Sequence, residues 1–500
     1  MDMALISLRG IGVLTPRPLF TDLTFSIGPG DRIGLVAGNG GGKSTLLRCV
    51  AGHAPDSGSV TLSRGLRVGH VEQDVPKALE GLSLHEAVRR ALPPAEREHE
   101  AWRVGAVLDE LGTPEELLGR SIAALSGGWQ RLALLARARI TEPGALLLDE
   151  PTNHLDGEKI ILLEAWINGP AARMPMLIAS HDRSFLDNCT TRTLFLRPNT
   201  SRIYAHPYSR ARLLLAEDDA AQDRKHAKDA KEVDRLRRNA GELRNVGVNS
   251  GSDLLQKKSM QLRDRAERLE QTLRPAHKER PGAICLASRG THAKVLAAFR
   301  NVAVAAPDGR LLFRVDKLDL RQGDRLVLLG RNGAGKSRLV ALLRRAVEEA
   351  VPGLQVSPSV VLGYTDQGMA HLPDEQTPHR FVSARPGIGD RRATALLAGA
   401  GFGVDAQARR IGLLSPGQKA RLGLLALRLA EPNFYLLDEP TNHVDIPGQE
   451  QLEAELLAQD ATGVLVSHDR SFVQAVGTRF LLIENGQAKE VADAADAGAR

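Results

Sequence analysis

The amino-acid sequence predicts an α/β protein in which two domains of one fold follow each other and are joined by a charged helical hairpin. The first observation is an internal repeat: GNGGGKS near residue 38 returns as RNGAGKS near 331, LLLDEPTNHLD returns as YLLDEPTNHVD, and SHDRSFL returns as SHDRSFV. Lys43 and Lys336 are 293 residues apart and His181 and His468 are 287 apart, so the spacing within each copy is nearly the same. We therefore expect two complete domains with the same motif order.

The second observation is a change of composition from about Ser209 to Arg289, where the chain is charged and contains no aromatic residue. Apolar residues spaced three and four apart occur on both sides of VGVNSGS, a run of turn-forming residues. They are Val233, Leu236, Ala240 and Leu243 before it, and Leu255, Leu262, Ala266, Leu269 and Leu273 after it. We expect a helical hairpin with its tip near Gly247 to Ser252 and its second arm ended by Pro275. Charge alone leaves open a solvated helical spacer.

The predicted domains are 1–208, the hairpin at 209–290, and 291–500. Within each copy, strand and helix patterns alternate, and apolar runs lead directly into glycine-rich or acidic loops. Examples are Arg32 to Val36, Ala145 to Leu148 and Met176 to Ala179. Such runs are typical of buried parallel strands, whose carboxyl ends carry the functional loops.

The bulk composition limits the classes of protein that fit. The 500 residues are 42% hydrophobic and 25% charged, as in folded domains, and the net charge of +6 favours anionic partners such as nucleotides or RNA. Only three cysteines occur, Cys49, Cys189 and Cys285, without the spacing of a zinc site. Because the sequence has no signal-peptide pattern and no apolar run of about 18 residues, we expect a cytoplasmic protein without a membrane span.

The chemistry of the repeat begins with a phosphate-binding loop. In the second copy Gly330, Gly335, Lys336 and Ser337 satisfy G-x-x-x-x-G-K-[ST] between an apolar run and a helical pattern. Backbone N–H groups of such a P-loop hold phosphate oxygens, the lysine neutralises the β and γ phosphates, and the serine hydroxyl binds Mg²⁺. In the first copy Ala37 stands where the first glycine belongs. The predicted ATP-binding residues of the two loops are Gly38, Asn39, Gly40, Gly41, Gly42, Lys43, Ser44 and Thr45, and Gly330, Arg331, Asn332, Gly333, Ala334, Gly335, Lys336, Ser337 and Arg338.

Each copy also has an apolar strand that ends in Asp-Glu, at Asp149-Glu150 and at Asp438-Glu439. The aspartate of such a pair holds Mg²⁺, and the adjacent glutamate can orient and deprotonate the attacking water. Acidic residues at strand ends are often only structural. Two copies at matched distances from two P-loops argue against that interpretation here.

A third motif precedes a helical segment in each copy, as LSGGWQ at Leu125 and as LSPGQ at Leu414. The serine would cap the helix, and its neighbours would present N–H groups to an anion. These residues resemble the signature motif of ATP-binding-cassette (ABC) proteins. The resemblance adds Ser126, Gly127, Gly128, Ser415 and Gly417 to the ATP-binding residues, Gln73 and Gln367 as Q-loop glutamines, and His181 and His468 as switch histidines beside the catalytic Glu150 and Glu439. It implies Mg²⁺ ligands Ser44, Gln73, Asp149, Ser337, Gln367 and Asp438.

The strings EPTNHLD, EPTNHVD and SHDRSF, the tandem arrangement and the charged linker together resemble the ABC-F family over essentially the whole chain. Its members are translation factors and antibiotic-resistance ribosome-protection proteins, which extend the hairpin toward the P-site tRNA. The resemblance implies ribosomal RNA and tRNA as partners. Hairpin cations that would then contact phosphates are Arg235, Arg237, Arg238, Arg244, Lys257, Lys258, Arg263 and Arg265.

The resemblance further implies that the two cassettes pair head to tail, with each ATP between the P-loop of one and the signature of the other. Two departures fall on one such site, Ala37 in the first P-loop and Pro416 in the opposing signature, so we expect unequal sites. The family's aromatic residue that stacks on adenine is absent from GIGVLTP and VAVAAPDG, which puts selectivity over GTP in question.

Two other functions compete with action on the ribosome. An ATPase subunit of a drug exporter would need a separate membrane partner, and a charged hairpin has no obvious use in that assembly. Relatives in DNA maintenance usually split one cassette around a very long coiled coil or carry zinc cysteines, and this sequence has neither.

Overall fold

The computed structural model of the chain describes residues 4–15, 18–153, 155–272, 284, 286, 293–366, 369 and 371–494. In the first cassette the strands are β1 Ile6–Leu14, β2 Pro18–Ile27, β3 Arg32–Val36, β4 Ser57–Leu62, β5 Val68–Val71, β6 Ala145–Asp149, β7 Met176–Ala179, β8 Arg192–Phe195 and β9 Arg202–Tyr204. The helices are α1 Lys43–Val50, α2 Leu84–Arg89, α3 Trp102–Glu110, α4 Gly127–Arg139, α5 Gly157–Asn168 and α6 Arg183–Cys189. Short 3₁₀ helices occur at Lys77–Leu79, Glu115–Leu117 and Ile122–Ala124.

Two long helices follow, α7 Tyr208–Ser250 and α8 Asp253–Thr272. The second cassette has strands β10 Val295–Ala305, β11 Leu311–Arg321, β12 Arg325–Leu329, β13 Leu354–Val356, β14 Leu362–Thr365, β15 Phe434–Asp438, β16 Gly463–Val466, β17 Arg479–Glu484 and β18 Gln487–Val491. Its helices are α9 Lys336–Glu348, α10 Pro378–Ser383, α11 Asp390–Gly399, α12 Val404–Ala408, α13 Pro416–Ala430, α14 Ile446–Ala458 and α15 Arg470–Val476, with a 3₁₀ helix at Ile411–Leu413. None of the helices in the described ranges is long and apolar enough to cross a membrane.

Each cassette is built on a parallel sheet, as the apolar runs predict. The strand order is β5-β6-β7-β3-β8-β9 in the first cassette, where β5 to β8 are parallel and β9 is antiparallel. The second cassette repeats this order as β14-β15-β16-β12-β17-β18. Because β6, β7 and β3 are parallel neighbours, the loops that follow them meet at one edge of the sheet. That edge carries the acidic pair, the switch histidine and the P-loop.

The parallel strands are apolar on both sides because each side faces a separate core. Leu146 and Leu148 of β6 pack in one core with the helical part of the cassette, whereas Ala145 and Leu147 pack in another with the antiparallel sheet of β1, β2 and β4. A strand covered on both faces reads as a continuous apolar run. The predicted α/β fold with two P-loop cassettes is therefore confirmed.

The helical hairpin between the cassettes is present, and its apolar spacing is explained by contact between the arms. Val233 and Leu236 of α7 are buried against Ala266 of α8. The tip was predicted near Gly247 to Ser252, but α7 continues through Ser250 and only Gly251 and Ser252 form the turn. Gly251 has a φ of +64°. Glycine ends helices readily in this left-handed conformation. Leu273 and Pro275 lie outside the described residues.

Candidate functional site

The two cassettes enclose a cavity of about 890 Å³ that both P-loops line. The first P-loop faces the second signature, since a methyl group built on Gly417 would lie 2.5 Å from Nδ2 of Asn39. Asn39 also donates from its backbone N–H to Asp445 at 3.0 Å and from its side chain to the carbonyl of His443 at 2.7 Å. In the other half, the backbone N–H of Asn332 lies 3.4 Å from Asp156. The cavity therefore contains two composite sites.

Each P-loop turns directly into a helix. Gly42 and Gly335 precede α1 and α9 with φ of +92° and +104°. A Cβ on Gly335 would lie 2.9 Å from the ring of Phe313, and both conformations are strained for any residue with a side chain. The glycines thus permit the tight turn that directs loop N–H groups and a helix N-terminus toward an anion.

The acidic pairs occupy equivalent strand ends. Burial raises the pKa of both aspartates, Asp149 and Asp438, and the nearby hydroxyls of Ser44 and Ser337 oppose that rise. The next residues, Glu150 and Glu439, have φ of +49° and +53° and are buried. A non-glycine residue in this left-handed region costs about 1–3 kcal/mol and such strain concentrates at functional sites. The strain turns both glutamates out of the strand direction and toward the cavity.

The switch histidines follow β7 and β16 and reach the glutamates. Nε2 of His181 lies 3.3 Å from Oε1 of Glu150, and Nε2 of His468 lies 3.4 Å from Oε1 of Glu439. Each glutamate also accepts the backbone N–H of its histidine. Burial lowers the pKa of both imidazoles below the ordinary value, so they are neutral near pH 7.

The two sites differ in the position of the P-loop lysine. Nζ of Lys43 lies 2.6 Å from Nε2 of His181 and 3.4 Å from Glu150. Nζ of Lys336 instead donates to the carbonyls of Gly330 at 2.6 Å and Arg331 at 3.1 Å. Lys43 also donates to the carbonyl of Ala37 in its own loop, but at 3.4 Å. The first lysine therefore lies between its loop and the catalytic carboxylate, and the second is held more closely by its own loop.

The pKa values of the glutamates follow this difference. Burial acts to raise the pKa of Glu150, yet its contacts with His181 and Lys43 outweigh burial and hold the pKa below the ordinary value. Both partners lie within 3.4 Å of the carboxylate, and Lys43 brings an ammonium group to it. Burial raises the pKa of Glu439 to about 8, and Lys336 opposes it only in part.

Most predicted site residues line the shared cavity, including Gln73, Ser126, Gly127, Ser415 and the four catalytic candidates. Four do not line it: Gly128, Gly330, Arg331 and Ala334. Gln367 lies outside the described residues. Ser126 and Ser415 both precede their helices as expected, but only the Ser415 side chain accepts a helix N–H, from Gln418.

Sequence reasoning missed the residues that contact the opposite cassette. Asp156 and Asp445 each cap the helix that begins after NHLD or NHVD, and each also faces the opposing P-loop. The sequence did show that both aspartates end a repeated string, NHLD or NHVD, and this repetition could have identified them. The cavity is also lined by Leu19, Leu312 and Arg310, and none of its described lining residues is aromatic.

Two P-loops, each closed by the helix N-terminus of the other cassette's signature, define an ATPase of the ATP-binding-cassette class. The family model described as ABC transporter matches residues 20–153 and 313–442. Over 526 residues the chain is 29% identical to ABC transporter F family member 5 of Arabidopsis thaliana, covering 96% of this chain and 74% of the relative. It is 29% identical over 500 residues to the ribosome protection protein VmlR of Bacillus subtilis, covering 95% and 86%.

Among solved structures, the archaeal ribosome recycling factor aABCE1, in complex with the ribosomal stalk protein aP1, aligns with 96% of this chain and 89% of its own. The TM-score is 0.63 at 19% identity, which shows a shared fold. The chain belongs to the ABC-F family of ATP-binding-cassette proteins.

Proposed function

We propose that this ABC-F ATPase acts in the cytoplasm on the ribosome, where ATP binding closes the cassettes, hydrolysis reopens them, and the hairpin contacts ribosomal RNA and the P-site tRNA. The observation that carries the proposal is the charge of the distal hairpin. Residues 235–265 contain eight basic and three acidic residues, a net charge of +5 out of +6 for the whole chain. A polyanion is the partner that this segment fits.

The distal cations are available to a partner. All eight side chains are exposed, and Arg235, Arg237 and Arg263 alone among them form ion pairs within the described residues. Val246 and Val248 at the end of α7 and Leu254 at the start of α8 are 55–71% exposed. Apolar side chains grouped at an exposed tip are typical of a contact surface. The hairpin therefore offers apolar contact at its tip and phosphate contact along its sides.

The root of the hairpin touches both cassettes. Tyr208 of α7 is buried with Phe195 of the first cassette and Ile446 of the second. The Tyr208 hydroxyl lies 3.3 Å from Glu450, and Arg212 lies 3.4 Å from the same carboxylate. Ile446 directly follows Asp445, which contacts the first P-loop. Closure of that ATP site would thus move α14 against the root, and α7, about 65 Å long, would enlarge the movement.

The acidic residues at the ends of β6 and β15 are suited to activating water and to binding Mg²⁺. We propose Glu150 and Glu439 as the groups that orient and deprotonate water, and His181 and His468 as their partners. Oδ1 of Asp149 is buried without a hydrogen-bond partner in the described residues. Together with the Ser44 hydroxyl and the Gln73 amide it offers the oxygen ligands that Mg²⁺ prefers. The ion would neutralise phosphate charge there.

The first test is sedimentation with ribosomes. Glu150→Gln combined with Glu439→Gln should bind ATP but hydrolyse it very slowly, because the water-activating carboxylates are lost while the phosphate contacts remain. This variant should co-sediment with 70S ribosomes or large subunits when ATP is present. Failure of both the variant and the wild type to sediment, with recovery of a membrane partner instead, would favour the exporter subunit.

A matched charge series tests the distal hairpin. Arg235, Arg238, Lys257 and Lys258 are changed to Gln in one variant, and the proximal Arg224, Lys225, Lys228 and Lys231 in its control. Both variants lose four exposed charges. The distal variant should bind ribosomes less tightly and with a weaker dependence on salt, since fewer counterions are released. Equal losses in the two variants would contradict contact through the distal segment.

Deletion of Val246 to Ser252 separates action on translation from ATP turnover. The tip is remote from both nucleotides, so ATPase activity should remain while the effect on translation is lost. VmlR is described as a ribosome protection protein; protection against a large-subunit antibiotic is the form of this function that drug-tolerance assays would detect. Loss of ATP turnover on deletion would instead make the tip a folding element.

A further inference from the structure

Two partly buried ion pairs cross between the cassettes close to the switch histidines. The guanidinium of Arg183 binds Glu453 through two N–H groups, one at 3.2 Å, and Arg470 binds Glu164 in the same two-pronged way. The four side chains are between 12% and 30% exposed. Paired N–H contacts of this kind are directional as well as strong.

The pairs are equivalent under the internal repeat. Arg183 and Arg470 each lie two residues after a switch histidine, and Glu164 and Glu453 each lie eight residues after the aspartate that faces the opposing P-loop. Between the pairs, the hydroxyls of Ser184 and Ser471 are 2.8 Å apart. This contact joins the first turns of α6 and α15, so the two pairs are arranged on either side of it.

At each ATP site, the ion pair gives one helix of the opposite cassette a second contact, in addition to its contact with the P-loop. At the first site, Asp445 at the start of α14 contacts the backbone of Asn39 in the P-loop, and Glu453, two turns further along the same helix, binds Arg183. One rigid helix of the second cassette therefore holds both the P-loop and the switch segment of the first. At the second site, α5 makes the same pair of contacts through Asp156 and Glu164.

We propose that the pairs Arg183–Glu453 and Arg470–Glu164 position the switch histidines against the P-loops when the cassettes close. An ion that loses its partner in this partly buried interface is destabilised, whereas paired ions are tolerated. In the arrangement of the two cassettes described here, both arginines are paired at once. The pairs thus select the closed arrangement in which each histidine reaches its glutamate.

The test is a double-mutant cycle in the full chain. Arg183→Ala and Glu453→Ala should each raise the KM for ATP at least about tenfold, or about 1.4 kcal/mol. Arg183 also lies 3.9 Å from Asp469, so its removal has a further effect. The loss in the double variant should nevertheless be smaller than the sum of the two single losses, because the contact between Arg183 and Glu453 can be lost only once. Arg192→Ala is the control, since Arg192 pairs with Asp31 inside the first cassette at 2.9 Å; its KM should stay within about twofold of wild type.

A second readout reports closure directly. A variant with Ser184→Cys and Ser471→Cys should form a disulfide faster when ATP is present. Adding Arg183→Ala should abolish this dependence on ATP, at ATP concentrations that saturate the variant with the two cysteines alone. Additive losses in the cycle, or a KM of Arg183→Ala equal to that of the Arg192→Ala control, would overturn the proposal. Should the alanine variants fail to fold, Arg183→Lys keeps the charge but not the paired N–H groups; unchanged KM and cross-linking in that variant would equally refute it. Because ATP turnover and closure alone are measured, the outcome does not depend on ribosome binding.

Discussion

The first glycine of the second P-loop is the position at which the two sites can be made alike. Gly330 has φ of +139°, and a Cβ built on it would lie 2.6 Å from the carbonyl oxygen of Ile483. Ala37, the matching residue of the first copy, is not among the described non-glycine residues with positive φ. Gly330→Ala should therefore push the second loop toward the conformation of the first.

The size of the expected loss of ATP affinity follows from the backbone conformation at residue 330. Holding alanine at a φ that only glycine adopts readily costs about 1–3 kcal/mol, which is about a 5- to 150-fold loss if it falls on the ATP-binding conformation. The carbonyl of Gly330 accepts from Lys336 at 2.6 Å, so displacement of this loop also releases the lysine. The loss should appear in ATP affinity before it appears in folding.

The assay is a fluorescent-ATP titration in which only one site binds. Gly330→Ala is measured in a Lys43→Ala background, and the control Ala37→Gly in a Lys336→Ala background. The control should change affinity by less than about fivefold, because Ala37 needs no glycine conformation and the exchange costs only about 0.5–1 kcal/mol of backbone entropy. Unchanged affinity in Gly330→Ala, or an equal loss in Ala37→Gly, would refute the explanation.

Three further predictions concern turnover, the hairpin and pH. Glu439→Gln should lower steady-state hydrolysis at saturating ATP more than Glu150→Gln, since Ala37 and Pro416 both fall on the first site; equal losses would indicate equivalent sites. Leu236→Ala should weaken packing of the hairpin arms by about 2–5 kcal/mol, seen as faster amide exchange in α7 and α8 at unchanged KM. Burial and the neighbouring Asp469 raise the pKa of Asp182 to about 7, opposed by Arg470 and aided by Glu164. The folded chain then holds this proton more tightly than the unfolded chain, so the contribution of Asp182 to the melting temperature should fall as pH rises from about 4 to 7. Asp182→Asn, which keeps the helix cap, should reduce that fall.

The fold was predictable because its signals are local or repeated. Continuous apolar runs predicted β6 and β7 as buried strands. The nearly constant offset between matching motifs predicted that the second copy has the same fold as the first. The hairpin tip was not predictable at residue level. Val248, Asn249 and Ser250 read as turn formers, yet continuing α7 adds a backbone hydrogen bond per residue and only Gly251 supplies the left-handed turn.

The motif residues of the site were predictable from spacing, whereas their partners across the interface were not. Arg183 is visible in SHDRSF, but no linear pattern connects it to Glu453, 270 residues away. The same holds for Asp445 and the backbone of Asn39. Contacts between the two cassettes depend on how their surfaces pack together. That packing is determined by all the residue contacts across the interface, which no short sequence motif contains.

The inequality of the two sites shows how identical motifs come to differ. Sequence comparison of the loops identified Ala37, but the consequence lies in the lysine, which contacts Glu150 in the first site and its own loop in the second. A second difference adds to it: buried Arg131 donates to the carbonyls of Asp149 and Glu150 at 3.2 and 2.9 Å, and the repeat places Ala420 at the corresponding position. The first acidic turn is thus braced by a cation from its own signature helix, and its carboxylate lies 3.4 Å from the ammonium of Lys43. In the second site Ala420 cannot supply such a cation, and Lys336 opposes the effect of burial only in part, so burial raises the pKa of Glu439. The two glutamates therefore lie in different electrostatic surroundings although their motifs are the same, and this is a second physical reason, beside Ala37 and Pro416, to expect unequal sites.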